Sequence, residues 1–152
     1  MPLRWAKPAA TLLLVLGLGP GSLQAQKGIE GGIHAIATFA DFDFAGGGAH
    51  LGFRPGGRTR FSISASAGGI DGVFAVRGEG SAQFMLNPRS RRPGFYAGGG
   101  IAGLTGPVDE AYVLLILGLE SSPGEGSGWV VETGIGGGVR VLVGYRWRRL
   151  RR

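Results

Sequence analysis

Serine, histidine and acidic residues are the side chains through which this chain could perform covalent chemistry. The candidates are His50, Ser62, Ser64, Ser66 and Glu79. A serine activated by a histidine, with an acid orienting the imidazole, is the arrangement that carries out acyl transfer. The sequence contains one other histidine, His34, and no spacing joins the three residue types into such a unit. A polar histidine without a catalytic partner is therefore the favoured interpretation of His50.

The remaining candidates for cofactor or metal binding are weak. The run GGGIAG at residues 98–103 is like a phosphate-binding glycine loop, but that loop needs a helix directly after it, and none is predicted here. The chain has no cysteine, which excludes disulfides and thiolate metal sites. No cluster of His, Asp and Glu has the spacing of a metal site. We therefore expect no catalytic residue, no cofactor and no metal.

The first 25 residues have the layout of a secretory signal peptide. Arg4 and Lys7 precede an apolar run at residues 11–18, and Pro20 and Gly21 end that run before SLQAQ. The run is shorter than the roughly 20 residues of a spanning helix, which disfavours a membrane anchor. We predict a signal peptide at residues 1–25, a short polar lead at 26–32, a folded domain at 33–147 and a basic tail at 148–152. Export also argues against nucleic acid as the partner of this basic chain.

The folded domain divides into eight segments with the alternation of β-strands, separated by turn signals. The clearest covers residues 59–67, in which an apolar or small residue alternates with Arg60, Ser62 or Ser64. The other predicted strands cover residues 33–44, 45–54, 73–86, 95–105, 111–120, 129–135 and 139–147. Short and regular connections favour antiparallel neighbours in up-and-down order, and an even number of strands can close without a free edge.

Alternation does not decide whether the apolar face meets a protein core or lipid. Two features favour lipid, because the charges concentrate in the turns and the polar faces consist mainly of small residues that suit a narrow interior. We therefore predict an all-β, eight-stranded antiparallel transmembrane β-barrel. Glu79 and Glu132 are expected to pair with arginines inside it. The predicted lumen network is His50, Arg60, Arg77, Glu79, Gln83, Glu132, Arg140 and Arg146.

Aromatic residues lie at the predicted strand ends, as in the girdles that bound the apolar band of membrane barrels. The girdle predicted at one rim is Phe53, Phe61, Phe84, Phe95, Tyr96, Trp129, Tyr145 and Trp147. A second belt, at the opposite rim, is Phe39, Phe42, Phe44, Phe74 and Tyr112. In the closing strand, Val139, Val141 and Val143 are predicted to face lipid. This strand must pair with the first one, because only that closes the barrel.

With these features the chain resembles the small eight-stranded outer-membrane β-barrel proteins of Gram-negative bacteria, the OmpA/OmpX-like group. The resemblance rests on the signal peptide, the eight alternating strands, GFYAGGGIAGL in the fifth strand and VGYRW in the last. It implies insertion by the barrel-assembly machinery, which reads an aromatic-ended last strand, here Tyr145 and Trp147. Family members usually end at that aromatic and many carry long outer loops. Here RRLRR follows and the links are short, so an adhesin role is not expected.

The function expected from these features is that of a non-enzymatic, monomeric protein of the cell outer membrane in contact with outer-membrane lipids. An eight-stranded lumen is filled by side chains, so the protein should be structural or weakly pore-like. One alternative is a secreted soluble β-barrel that binds an apolar ligand in the manner of lipocalins. Another is a lipid A-modifying enzyme that uses His50. The direction of Phe61, Val76 and Leu115, outward or inward, distinguishes a membrane barrel from a soluble one.

Overall fold

The eight strands in the described part of the chain belong to one closed sheet. The computed structural model describes residues 28–88 and 93–150, without the side chain of Leu150. The strands are β1 (Gly28–Phe39), β2 (Phe44–Arg54), β3 (Thr59–Ile70), β4 (Val73–Met85), β5 (Gly94–Thr105), β6 (Glu110–Glu120), β7 (Ser127–Ile135) and β8 (Val139–Leu150). Each strand pairs antiparallel with the next, and β8 pairs with β1. The predicted eight-stranded antiparallel meander barrel is confirmed.

The barrel wall is longer at both ends than residues 33–147. β1 begins at Gly28 and ends at Phe39, so part of the predicted polar lead is strand, and Phe44 begins β2 instead of ending the first strand. β8 continues to Leu150, so Arg148 is strand and not tail. The two extensions pair with each other, with Glu30 opposite Arg148, so each satisfies the other's backbone groups. The predicted signal peptide lies outside the described residues.

The two rims of the barrel carry different residues. The β1–β2, β3–β4, β5–β6 and β7–β8 connections lie at one end, which we call the acidic rim. Its acidic residues are Asp41, Asp43, Asp71, Asp109 and Glu110. The other connections lie at the opposite end, together with the start of β1 and the end of β8, and we call this end the terminal rim.

A two-residue turn fixes the register of the β3–β4 hairpin. Asp71 and Gly72 join Ile70 to its partner Val73, and both turn residues have positive φ, 50° and 82°. Positive φ at both central positions is the requirement of a type I′ turn, and Asp-Gly is one of its preferred sequences. The register set here places Ser66 opposite Arg77, with both side chains in the lumen.

The faces of this barrel are reversed relative to a soluble protein. Large apolar side chains on the outer wall are exposed, from 38% for Val141 to 75% for Val113. Phe61 and Leu115 are 50% and 53% exposed, and Val76 lies between the buried inward residues Ala75 and Arg77 and so points outward. All three distinguishing residues therefore point away from the interior, as in a membrane barrel. No helix within the described ranges is long and apolar enough to cross a membrane, which has no bearing on crossing by strands.

The lumen has an apolar half and a charged half. The apolar half lies toward the acidic rim and contains Ile36, Phe44, Ile70, Ala75, Leu104, Leu114 and Leu142, all buried. Phe44 is 1% exposed, so its predicted place in the second aromatic belt is wrong. Strand parity places Phe44 on the same face as Gly46 and His50, so its ring lies in the lumen and not on the outer wall. The charged half is dominated by arginine and glutamate. It fills the terminal-rim side and extends along β4 and β8, where Arg77 and Arg140 lie near the acidic-rim ends of their strands.

Candidate functional site

The charged half of the lumen is the most unusual polar feature of the molecule. Inward positions of β1, β2, β3, β4, β6, β7 and β8 supply its charges. Its arginines are Arg54, Arg60, Arg77, Arg140, Arg146 and Arg148, and its carboxylates are Glu30, Glu79, Glu120 and Glu132. All four carboxylates have arginine partners, as buried charges require.

The terminal cluster consists of Glu30, Glu120, Arg54, Arg60 and Arg148. Glu120 lies 3.2 Å from Arg54, 3.0 Å from Arg60 and 2.8 Å from Arg148. Glu30 lies 3.3 Å from Arg54, 3.3 Å from Arg60 and 3.1 Å from Arg148. Five strands thus contribute one residue each, and the two carboxylates share the same three guanidinium groups. This cluster closes the lumen at the terminal rim.

A central cluster continues the network along the barrel axis. Glu132 pairs with Arg140 at 2.9 Å and with Arg146 at 2.8 Å. Glu79 pairs with Arg77 at 2.8 Å and with Arg140 at 2.7 Å. Arg146 also reaches Glu120 at 3.3 Å, which links the central cluster to the terminal cluster. The two clusters are therefore one connected ion-pair network.

Tyr96 belongs to this network and not to the aromatic girdle. Its hydroxyl donates to Glu132 at 2.6 Å and accepts from Arg146 at 3.1 Å, and the Arg60 guanidinium lies 4.4 Å from its ring centroid. The side chain is 1% exposed, so its predicted girdle position is wrong. Tyr96 follows Phe95, and neighbouring strand residues point to opposite faces. A Cβ at Gly118 would overlap the Tyr96 ring, so glycine at that inward position makes the space that the ring occupies.

The two histidines line a small polar cavity between the halves of the lumen. His34 is hydrogen-bonded through Nε2 to Ser66 Oγ at 2.7 Å, and the rings of His34 and His50 are 5.9 Å apart. The cavity has a volume of about 20 Å³, and Ser62, Ser64 and Glu79 also line it. That volume is sufficient for one water molecule. Within the described part of the chain, His34 Nδ1 and His50 Nε2 have no hydrogen-bond partner.

This geometry does not assemble the serine, histidine and acid of an acyl-transfer site. His50 makes no bond to a serine among the described residues, and Glu79 is held by Arg77 and Arg140. The Ser66–His34 pair faces the lumen, where a lipid in the bilayer cannot reach it. Within residues 28–88 and 93–150, no group of three or more His, Asp or Glu side chains could hold a metal ion.

The structure places all eight residues of the predicted lumen network in the interior. Besides the ion pairs, Arg60 donates to Gln83 Oε1 from Nε at 2.8 Å, and Gln83 donates to Ser81 Oγ at 3.0 Å. Sequence reasoning missed Glu30, Arg54, Glu120, Arg148 and Tyr96. Parity could have found Arg148, since it shares the even positions of β8 with Arg140 and Arg146. Glu30 precedes Ile33, the predicted start of the first strand, so parity within that strand does not assign it.

The other predicted girdle residues point outward. Their exposures are 41% for Tyr145, 46% for Trp129, 48% for Phe84, 50% for Phe53, Phe61 and Trp147, and 55% for Phe95. They lie at the terminal-rim ends of their strands. In the closing strand, Val139, Val141 and Val143 are 54%, 38% and 53% exposed, and Arg140 and Arg146 are buried in the lumen.

Comparison with known proteins identifies the fold. No protein-family model and no curated protein sequence matches the chain. The structure is similar to the N-terminal β-barrel domain of Pseudomonas aeruginosa OprF, with 15% identity, coverage of 83% of this chain and 100% of that chain, and a TM-score of 0.63. It is also similar to the outer membrane protein OprG of Pseudomonas aeruginosa, with 10% identity, coverage of 84% of this chain and 97% of that chain, and a TM-score of 0.58. At these identities the likeness establishes a shared fold, that of small outer-membrane β-barrels.

Proposed function

We propose that this chain is a small, non-enzymatic protein of the outer membrane whose lumen is closed by side chains and whose role is structural or weakly pore-like. The observation that carries the proposal is the reversal of the barrel faces. Val113, Leu117 and Ile101 on the outer wall are 75%, 62% and 70% exposed, while Arg60, Arg77 and Arg140 inside are at most 1% exposed. An apolar exterior around a charged interior is favourable when the exterior meets hydrocarbon.

Closure of the lumen argues against an open pore. The terminal cluster fills one end with paired charges, and the apolar half fills the other with Phe44, Ile70 and Leu114. An eight-stranded barrel leaves little interior space beyond its side chains. We therefore expect conductance that is absent or far below that of an open porin.

The interior also argues against a soluble carrier of apolar ligands. Such a carrier needs an apolar chamber, and sites for small molecules typically measure about 300–1,000 Å³. The lumen cavity beside His34 and His50 has about 20 Å³ and a largely polar lining. A soluble barrel would in addition leave the apolar outer wall in water.

The orientation and partners follow as parts of the same proposal. With the terminal rim on the periplasmic side, the exposed Arg58 and Arg149 would meet anionic head groups of the inner leaflet. Outer-membrane lipids would cover the apolar wall, and the barrel-assembly machinery would insert the chain by reading the outward Tyr145 and Trp147 of β8. Every strand is paired on both sides for most of its length, so the barrel offers no full-length free edge to a second copy, which favours a monomer.

Fractionation and conductance test the proposal. The expressed protein should be recovered in outer membranes, migrate differently on gels before and after boiling, and give little current in planar bilayers. A protein recovered in a soluble periplasmic pool, with no change of migration on heating, would contradict the membrane assignment. Large and stable current steps would contradict the closed lumen alone.

A further inference from the structure

The ladder between β6 and β7 is shorter than the other seven ladders of the barrel. It covers only the pairs from Leu115–Ile135 to Glu120–Val130. On its other side, β6 remains paired with β5 from Glu120 to Glu110. Toward the acidic rim, residues 110–114 therefore have no ladder partner on the β7 side. The barrel wall has a notch there, and one strand edge lines it.

This notch is part of a cleft on the outer wall, which we call the side cleft. Its lining residues are Phe39, Tyr112, Val113, Ile135, Gly136, Gly137, Gly138 and Val139, and its volume is about 450 Å³. The cleft is widely open on its outer side, so it is a groove and not an enclosed pocket. Phe39, Val113 and Ile135 are 54%, 75% and 55% exposed and are continuous with the apolar outer wall. The side cleft therefore opens toward the same surroundings as the wall.

The glycine turn between β7 and β8 holds the cleft in shape. Gly137 has a φ of 72°, and a Cβ there would overlap the Tyr112 ring. A Cβ at Gly138, with a φ of 112°, would overlap the Phe39 carbonyl. The carbonyl of Gly136 accepts from Arg77 Nη2 at 2.8 Å, which ties the turn to the lumen network. The cleft is thus bounded by a turn anchored from inside the barrel.

We propose that the side cleft binds one acyl chain of a membrane lipid, a proposal that rests on the membrane function proposed above. Its apolar walls suit a hydrocarbon chain entering from the bilayer. Its strand edge offers backbone N–H and C=O groups, which need partners where water is excluded. The ester or amide linkage of a lipid lies at the head-group boundary, the level of the rim. Its carbonyl would accept from an edge N–H, and an amide N–H would donate to an edge C=O. The open edge extends over only five residues, about 16 Å along the strand, and lies in a concavity. This shape suits a single acyl chain better than a β-strand added from another protein.

A pair of matched tryptophan substitutions tests this site. Val113→Trp would fill the cleft. The control is Ile101→Trp: Ile101 is the cross-strand partner of Val113, is 70% exposed and does not line the cleft. Each protein is reconstituted in phosphatidylethanolamine vesicles, extracted in mild detergent and analysed by native mass spectrometry. We expect one retained phospholipid on the wild type and on Ile101→Trp, and at least tenfold lower occupancy on Val113→Trp. Ile135→Trp, which narrows the cleft from β7, should show the same loss.

Other outcomes would overturn the inference. Equal retention by all four proteins would place the lipid elsewhere on the wall, and no retention by the wild type would leave the cleft without this ligand. A dimer that disappears with Val113→Trp would show that a second copy occupies the edge. Heat-modifiable migration of each variant verifies that it has folded. A wild-type chain that does not enter vesicles would overturn the membrane function as well, whereas an inserted barrel without bound lipid would overturn the cleft alone.

Discussion

Glu120 is the residue with the most charged partners in the lumen. Arg54, Arg60, Arg146 and Arg148 all lie within 3.3 Å of its carboxylate, and the side chain is 1% exposed. Removal of one partner from a buried ion pair leaves the other partner uncompensated and costs about 3–5 kcal/mol. Here the uncompensated charge would fall on four arginines, three of which also contact Glu30.

We expect Glu120→Gln to lower the free energy of unfolding by about 3–5 kcal/mol, because the amide keeps the shape but removes the charge. Urea unfolding of the refolded barrel in micelles, followed by tryptophan fluorescence, measures the change. Glu125→Gln, in the exposed β6–β7 connection, is the control and should stay within about 0.5 kcal/mol of the wild type. Equal small effects of both substitutions would show that the terminal cluster contributes little to stability.

Tyr96 offers a second test at the level of one atom. Tyr96→Phe removes the hydroxyl between Glu132 and Arg146 but keeps the ring that faces Arg60. We expect a loss of about 1–3 kcal/mol, the cost of leaving buried polar groups without a hydrogen bond. Tyr145→Phe, whose hydroxyl bonds to Ser127 at an exposed position, should change stability by less than about 0.5 kcal/mol. An effect of Tyr145→Phe as large as that of Tyr96→Phe would contradict the assignment of Tyr96 to the network.

The β1–β8 seam decides whether the eight strands form a barrel or an open sheet. Twelve residue pairs join the two strands, from Gly28–Leu150 to Phe39–Val139. Ala35 lies opposite Val143, and both point outward. Directly opposite residues in an antiparallel pair have Cα atoms about 4.5–5.5 Å apart, which is within the range of a disulfide.

We expect Ala35→Cys combined with Val143→Cys to form a disulfide across the seam under mild oxidation. The chain has no native cysteine, so the bond can be assigned without ambiguity. A shift in migration on non-reducing gels, reversed by reductant, measures it. Ala35→Cys combined with Ile63→Cys on β3 is the control and should not cross-link within one chain. Cross-linking of both pairs would indicate a mobile sheet. If neither pair cross-links, the β1–β8 seam is open or has a different register.

The strands that could be predicted from sequence were those with a continuous apolar face. In β3 and β8, Phe61, Ile63, Val141 and Val143 mark every second position, and both their outward faces and the inward Arg60 and Arg140 follow from parity. β1 lacked that signal, because its first inward side chain, Glu30, lies among glycines. The partners of Glu30 and Glu120 depend on strands distant in sequence, so local pattern carried no information on them.

For the whole molecule, the outer wall is the feature that separates membrane and soluble environments. A charged side chain on this wall costs little if the wall faces water, but it is destabilising if the wall faces hydrocarbon. We expect Leu115→Arg, at the middle of β6, to destabilise the barrel in bilayers by about 2–4 kcal/mol, and Leu86→Arg, at the terminal rim, by no more than about 1 kcal/mol. Urea unfolding in vesicles measures both. A neutral or stabilising Leu115→Arg would indicate that the wall faces water.

The terminal cluster is complete only when the barrel is closed. The partners of Glu120 come from β2, β3 and β8, so a partly assembled sheet that lacks either end leaves its carboxylate without part of its charge compensation. Glu30 is likewise completed only when β8 arrives with Arg148. Intermediates with seven strands, or with β8 out of register, would carry uncompensated charge into hydrocarbon. We therefore expect the interior charges to favour the full, correctly registered set of strands over partly assembled or shifted sets.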